Sequence, residues 1–150
     1  MGFRMMWTKL ICTGVILGCL AACQQSPVPN PVVGAWVVRM PDAPFPMHMF
    51  VFHADGTVQQ SNPDAGDSHA SDSSLMGAWR ADGAGVRGKL VEVTADRSSR
   101  QFAGRVEIAF ALTVKGDTLE GNAKAEFFDA DGKRAGTPVR VGMTGDRVLP

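Results

Sequence analysis

Val106-Glu107-Ile108-Ala109-Phe110-Ala111-Leu112-Thr113-Val114 is followed across Lys115-Gly116-Asp117 by Leu119-Glu120-Gly121-Asn122-Ala123-Lys124-Ala125-Glu126-Phe127. Both runs alternate with period two, the signature of strands with one face in a core and the other in water. The turn between them carries a glycine, which tolerates positive φ, and an aspartate, whose carboxylate accepts from nearby backbone amides. Two long strands joined by a tight turn make a hairpin, and the rest of the chain repeats the theme. Near the end Val139, Val141 and Met143 alternate with Arg140, Gly142 and Thr144. Ala54-Asp55-Gly56, Ala81-Asp82-Gly83 and Asp129-Ala130-Asp131-Gly132 punctuate the rest.

The pattern predicts eight strands, over residues 32–40, 47–53, 57–61, 75–81, 86–95, 102–114, 118–129 and 138–148. No segment after residue 31 carries a helical stripe. The expectation is an all-β fold, an antiparallel up-and-down meander of about eight strands closed into a small barrel, since closure removes exposed edges. Residues 61–74 (SNPDAGDSHASDSS) have no period and no apolar anchor, and read as a mobile surface loop.

Upstream of this domain the character changes. Arg4 and Lys9, with no acid, precede the apolar run Leu10–Leu20, which ends in Leu20-Ala21-Ala22-Cys23 and gives way to Gln24-Gln25-Ser26-Pro27. A short basic segment and about a dozen apolar residues have the proportions of a secretion signal, whereas a membrane span needs roughly 20. The ending resembles the lipobox of bacterial lipoproteins. That resemblance implies a signal peptide over residues 1–22, a diacylglycerol on Cys23, cleavage before it and acylation of the new amine. Several acyl chains anchor durably where one does not. Gln24, in place of the aspartate that favours inner-membrane retention in such lipoproteins, implies the outer membrane, with the domain in the periplasm or at the cell surface. Residues 23–31 then form the lipidated cysteine and a proline-rich tether, and residues 32–150 form one domain.

The full chain has 15 basic and 15 acidic residues. Loss of Arg4 and Lys9 with the leader leaves a net charge of about −2, which gives nucleic acid no basic face to bind. Cys12 and Cys19 also leave, so Cys23 is the last cysteine; a disulfide, a cysteine nucleophile and a Cys-based zinc site are excluded on this reading.

Three motifs in the domain resemble a group of small bacterial lipocalin-like proteins: Val33-Gly34-Ala35-Trp36, then Phe50-Val51-Phe52-His53-Ala54-Asp55-Gly56-Thr57, then Met76-Gly77-Ala78-Trp79-Arg80. Asp117 and the Phe127-Phe128-Asp129 strand end also fit that group. The resemblance implies a calycin-type barrel in which Trp36 closes one end, and it implies little about function.

The leading functional expectation is a binding module whose barrel holds one small apolar molecule. Its pocket candidates are Trp36, Phe50, Phe52, Trp79, Ile108, Phe110, Leu112 and Phe127, with Val106 and Val141 also interior and Ala109, Ala111, Gly121, Ala123 and Ala125 leaving room. The tryptophans read equally as core plugs. An interaction or inhibitor protein acting through loop 41–46 or 61–74 is a second reading. A cyclase-like barrel enzyme is a third; no catalytic set is visible, and His53 at a hairpin end reads as solvent-facing. A cofactor is not expected beyond the lipid on Cys23. If a copper(I) site exists, Met40, Met47, His48 and Met49 supply its soft ligands, although alternation sends His48 to the face opposite Met47 and Met49. Asp64, Asp67, His69 and Asp72 lack the spacing of a calcium loop.

Overall fold

The computed structural model describes residues 30–61 and 68–150. The leader (1–22), Cys23 and the loop residues Asp64 and Asp67 lie outside the described residues. The alternating segments form β1 (Gly34–Arg39), β2 (Met47–Phe52), β3 (Thr57–Ser61), β4 (Ala70–Asp72), β5 (Leu75–Asp82), β6 (Gly85–Asp96), β7 (Phe102–Lys115), β8 (Thr118–Asp129) and β9 (Val139–Arg147). No helix occurs among the described residues. Every pairing is antiparallel. The order β1-β2-β3-β5-β6-β7-β8-β9 closes where β9 pairs back onto β1, with Trp36 opposite Arg147. The architecture is an eight-stranded antiparallel closed barrel with one short extra strand.

That extra strand falls where the sequence reads as a featureless loop. β4 runs along β6, Ser71 opposite Ala95, on the edge that β5 occupies lower down. Ser73 joins the two: its amide donates to Val93 O at 3.0 Å, and its Oγ accepts from the Val93 amide at 3.1 Å. β4 and β5 are therefore one strand interrupted by a kink, held by a serine where no apolar residue marks the register.

The interior divides into two halves. At the end formed by the 53–57, 82–85 and 115–118 turns, Trp36, Phe52, Val58, Val86, Phe110, Leu112 and Leu119 are buried in one cluster with Phe50 and Val38. Phe52 stacks on Phe50 and meets Trp79 and Phe110 edge-on, with ring centroids 6.0, 6.2 and 5.9 Å apart. Each such ring contributes about 1.5–3 kcal/mol by leaving water. Glycines let the aromatic layer fit: a Cβ on Gly88 would lie 2.3 Å from Phe110 Cζ and 2.6 Å from Ala78 O.

Trp36 seals this end. Its Nε1 donates to Val32 O at 2.8 Å, and the Arg147 guanidinium lies 4.2 Å from its ring centroid. Arg147 also donates to Val33 O at 2.9 Å and to Asp117 at 3.1 Å, tying the last strand to the first and to the β7–β8 turn. The structure thus gives Trp36 the closing role that the resemblance implies. The three motifs also meet: Gly34 lies opposite Phe52, Asp55 Oδ1 accepts from the Thr57 amide, Gly56 O accepts from the Trp79 amide at 2.8 Å, and Trp79 Nε1 donates to His53 O at 3.0 Å.

Gly88→Ala should destabilise the barrel by about 1–3 kcal/mol, because the methyl group meets a ring and a carbonyl that cannot both yield. Gly142→Ala, where a Cβ meets nothing within 4 Å, should change stability by less than about 0.5 kcal/mol. Urea denaturation of the two variants checks the contrast.

Candidate functional site

The other half of the barrel is hollow. A cavity of about 360 Å³ lies beneath loop 41–46, at the low end of the range of about 300–1,000 Å³ for small-molecule sites. Val106 and Ile108 of β7, Ala125 and Phe127 of β8, and Val139 and Val141 of β9 make an apolar wall. The space exists because Ala123 and Ala125 occupy inward positions that hold a leucine or phenylalanine elsewhere in the barrel. Ala109 and Ala111, by contrast, lie on the outer face, since they are out of phase with Ile108 and Phe110; they leave no room inside, contrary to expectation.

The pocket candidates therefore separate. Ile108 and Phe127 line the cavity. Trp36, Phe50, Phe52, Phe110 and Leu112 belong to the packed half, and Trp79 packs against it from the rim. The copper candidates separate too: Met47 and Met49 are 38% and 45% exposed on the outer face, while Met40 and His48 point inward. The four thus form no common ligand set.

The wall facing the apolar one is polar, and sequence reasoning singled out little of it. His48 of β2, Gln60 of β3, Asp72 of β4 and Glu92 of β6 all line the cavity. His48 and Gln60 occupy inward positions in strands otherwise apolar on that face, His48 before Phe50 and Phe52 and Gln60 after Val58, and at Glu92 the inward phase of β6 turns polar after Val86 and Leu90. A polar residue in the apolar phase of a strand is the signal that marks them.

His48 and Gln60 are only 7% and 3% exposed, and their hydrogen bonds fix each other's orientation. His48 Nε2 lies 2.8 Å from Phe45 O, an acceptor, so Nε2 carries the ring proton. Burial lowers the His48 pKa from its ordinary value, against a smaller opposing effect of the Phe45 hydrogen bond, which keeps the ring neutral and makes Nδ1 an acceptor. The Gln60 group 3.0 Å from Nδ1 must then be the amide nitrogen, as a donor. Gln60 Oε1 is left buried without a hydrogen-bond partner among the described residues. An unpaired buried carbonyl costs about 1–3 kcal/mol, so its retention points to a role beyond stability.

Burial pushes the Glu92 carboxyl up to about 7, and the Asp72 charge adds to the effect. The roof is fixed in place: the Met40 amide donates to Pro46 O at 2.9 Å, the Ala43 amide donates to Met40 O at 3.1 Å, and His48 holds Phe45. Loop 41–46 lies folded over the mouth rather than projecting as an inhibitory loop would. His53, on the opposite end of the barrel, is bound up in the β2–β3 turn.

Glu92 makes stability depend on pH. Its folded pKa lies above its ordinary value of 4.5, so the stabilising neutral form is fully present below 4.5 and lost as pH rises through about 7. Glu92→Gln should match the parent at pH 4 and exceed its stability at pH 8, by roughly 1 kcal/mol after allowance for partial exposure. Equal urea midpoints at both pH values would show that the carboxyl is not desolvated.

Comparison of the chain with protein-family models, with curated proteins and with solved structures finds no match, so the lipocalin-like likeness rests on the motifs and on a barrel compatible with that fold.

Proposed function

We propose that the chain is an envelope lipoprotein, anchored through a lipid on Cys23, whose barrel binds one small apolar molecule. The observation that carries the binding reading is the division of the interior: a densely packed half and, above it, a cavity with a continuous apolar wall under a fixed roof. A barrel under selection only for stability would fill that volume, because empty space costs dispersion contacts. The lipobox-like Leu20-Ala21-Ala22-Cys23 supports the anchor. On this reading the tether enters beside Trp36 and Arg147, at the sealed end, so the anchor and the cavity mouth lie at opposite ends of the barrel. The signal peptide over 1–22, the outer-membrane location and the domain's position in the periplasm or at the cell surface belong to the same proposal, as does the absence of nucleic acid among its partners.

One observation favours an enzyme: a carboxyl with a pKa near 7 in a cavity suits general acid–base chemistry. Both His48 nitrogens are already engaged, so the imidazole is not available as its partner. Binding is the reading that uses the apolar wall as well as the polar one.

Native mass spectrometry of the chain isolated from its host's envelope tests both parts. The parent should carry a covalent lipid and a non-covalent small molecule. Cys23→Ser should lose the lipid and leave the membrane fraction. Ala125→Phe, which fills the cavity, should lose the small molecule, whereas Ala111→Phe on the outer face should keep it. A bare parent, or a small molecule retained by Ala125→Phe, contradicts the binding reading.

A further inference from the structure

We infer that the cavity selects an apolar molecule carrying an amine at one end, with the ammonium group held by Glu92 and Gln60 and the tail against β7, β8 and β9. This rests on the binding reading above and specifies its ligand class. The cavity has two unlike walls. Val106, Ile108, Ala125, Phe127 and Val141 offer a tail no polar partner. On the opposite arc, neighbouring strands present Gln60, Leu75 and Glu92 in one layer: Gln60 pairs with Leu75, and Leu75 lies one residue beyond the Met76–Val91 pair, level with Glu92.

The polar arc offers more acceptors than donors. The His48 Nε2 proton is given to Phe45 O, and the Gln60 amide nitrogen donates to His48 Nδ1. Gln60 lines the cavity and is 3% exposed, and its Oε1 is buried with no hydrogen-bond partner among the described residues. Glu92 contributes carboxylate oxygens, and Asp72 adds negative potential beside it. No lysine or arginine is among the described residues lining the space. A carboxylate-headed ligand such as a fatty acid would meet acceptors and like charge there. An ammonium group has three donors, a positive charge, and no acceptor to leave unsatisfied. It also resolves two local costs together, the orphaned amide oxygen and the poorly solvated carboxylate.

The test uses three probes with one tail and different heads: octylamine, octan-1-ol and octanoate, titrated into the purified full-length chain by calorimetry at pH 8. Octylamine should bind at least tenfold more tightly than octanoate, with octan-1-ol between them. Glu92→Gln should abolish the advantage of octylamine over octan-1-ol while octan-1-ol affinity changes less than threefold, so a loss of fold would be recognised. Lowering the pH to 5.5 should weaken octylamine in the parent as Glu92 takes up a proton. The other titratable groups facing the site are Asp72 from β4 and His48 from β2, whose pKa burial lowers. Octanoate binding as well as octylamine, or an octylamine preference untouched by Glu92→Gln, overturns the head-group assignment alone. Failure of all three probes to bind overturns the binding reading with it.

Discussion

Closing eight strands into a barrel fixes an interior volume that side chains must either fill or leave open, and the rest of this structure follows from how that volume is divided. Trp36 is the wedge at one end. Its ring is pinned between the Val32 carbonyl and the Arg147 guanidinium, at the seam where the last strand meets the first. Above it the Phe50, Phe52 and Phe110 rings consume the cross-section, and Gly88 yields space to one of them. Beyond that layer the inward positions on β8 shrink to alanine, and the barrel opens.

The open half is not simply an absence of packing. The inward phase turns polar there, at Gln60 on β3 and at Glu92 on β6, and β2 carries His48 near its start. Polar groups buried in this way are costly unless paired, and the pairing present is partial: histidine and glutamine satisfy one another and the roof, but one amide oxygen is left over. The same feature that costs stability gives the cavity a direction, acceptors at one side and hydrocarbon at the other.

Strand positions were legible to a high degree because alternation and turn chemistry agree. β3 and β8 occupy the residues that the pattern predicts, and the other predicted strands differ at their ends by at most two residues. β4 was not legible, since Ala70-Ser71-Asp72 has neither apolar phase nor turn signal and takes its place by backbone pairing to β6. The pocket was half legible. Large apolar residues draw attention as pocket walls, yet in a small barrel the largest ones fill it, so Trp36, Phe52 and Phe110 build the floor while Ile108 and Phe127 line the space. The polar wall was visible only as breaks of phase, at Gln60 and Glu92, and exposed-looking residue types hid it; Val91 and Val93 on the outward phase of β6 obscure it further. Arg147 follows the inward phase of Val139, Val141 and Met143, a continuation that an arginine disguises.

The central claim is that this barrel is sealed and full at the Trp36 end and hollow at the other. Diffraction from xenon-pressurised crystals tests it directly, because xenon enters apolar cavities and is excluded from close-packed cores. A xenon atom is expected among Ile108, Ala125 and Val141 and none among Trp36, Phe52 and Leu112. Xenon in the Trp36 half, or a chamber beneath loop 41–46 filled by rearranged side chains, would contradict it.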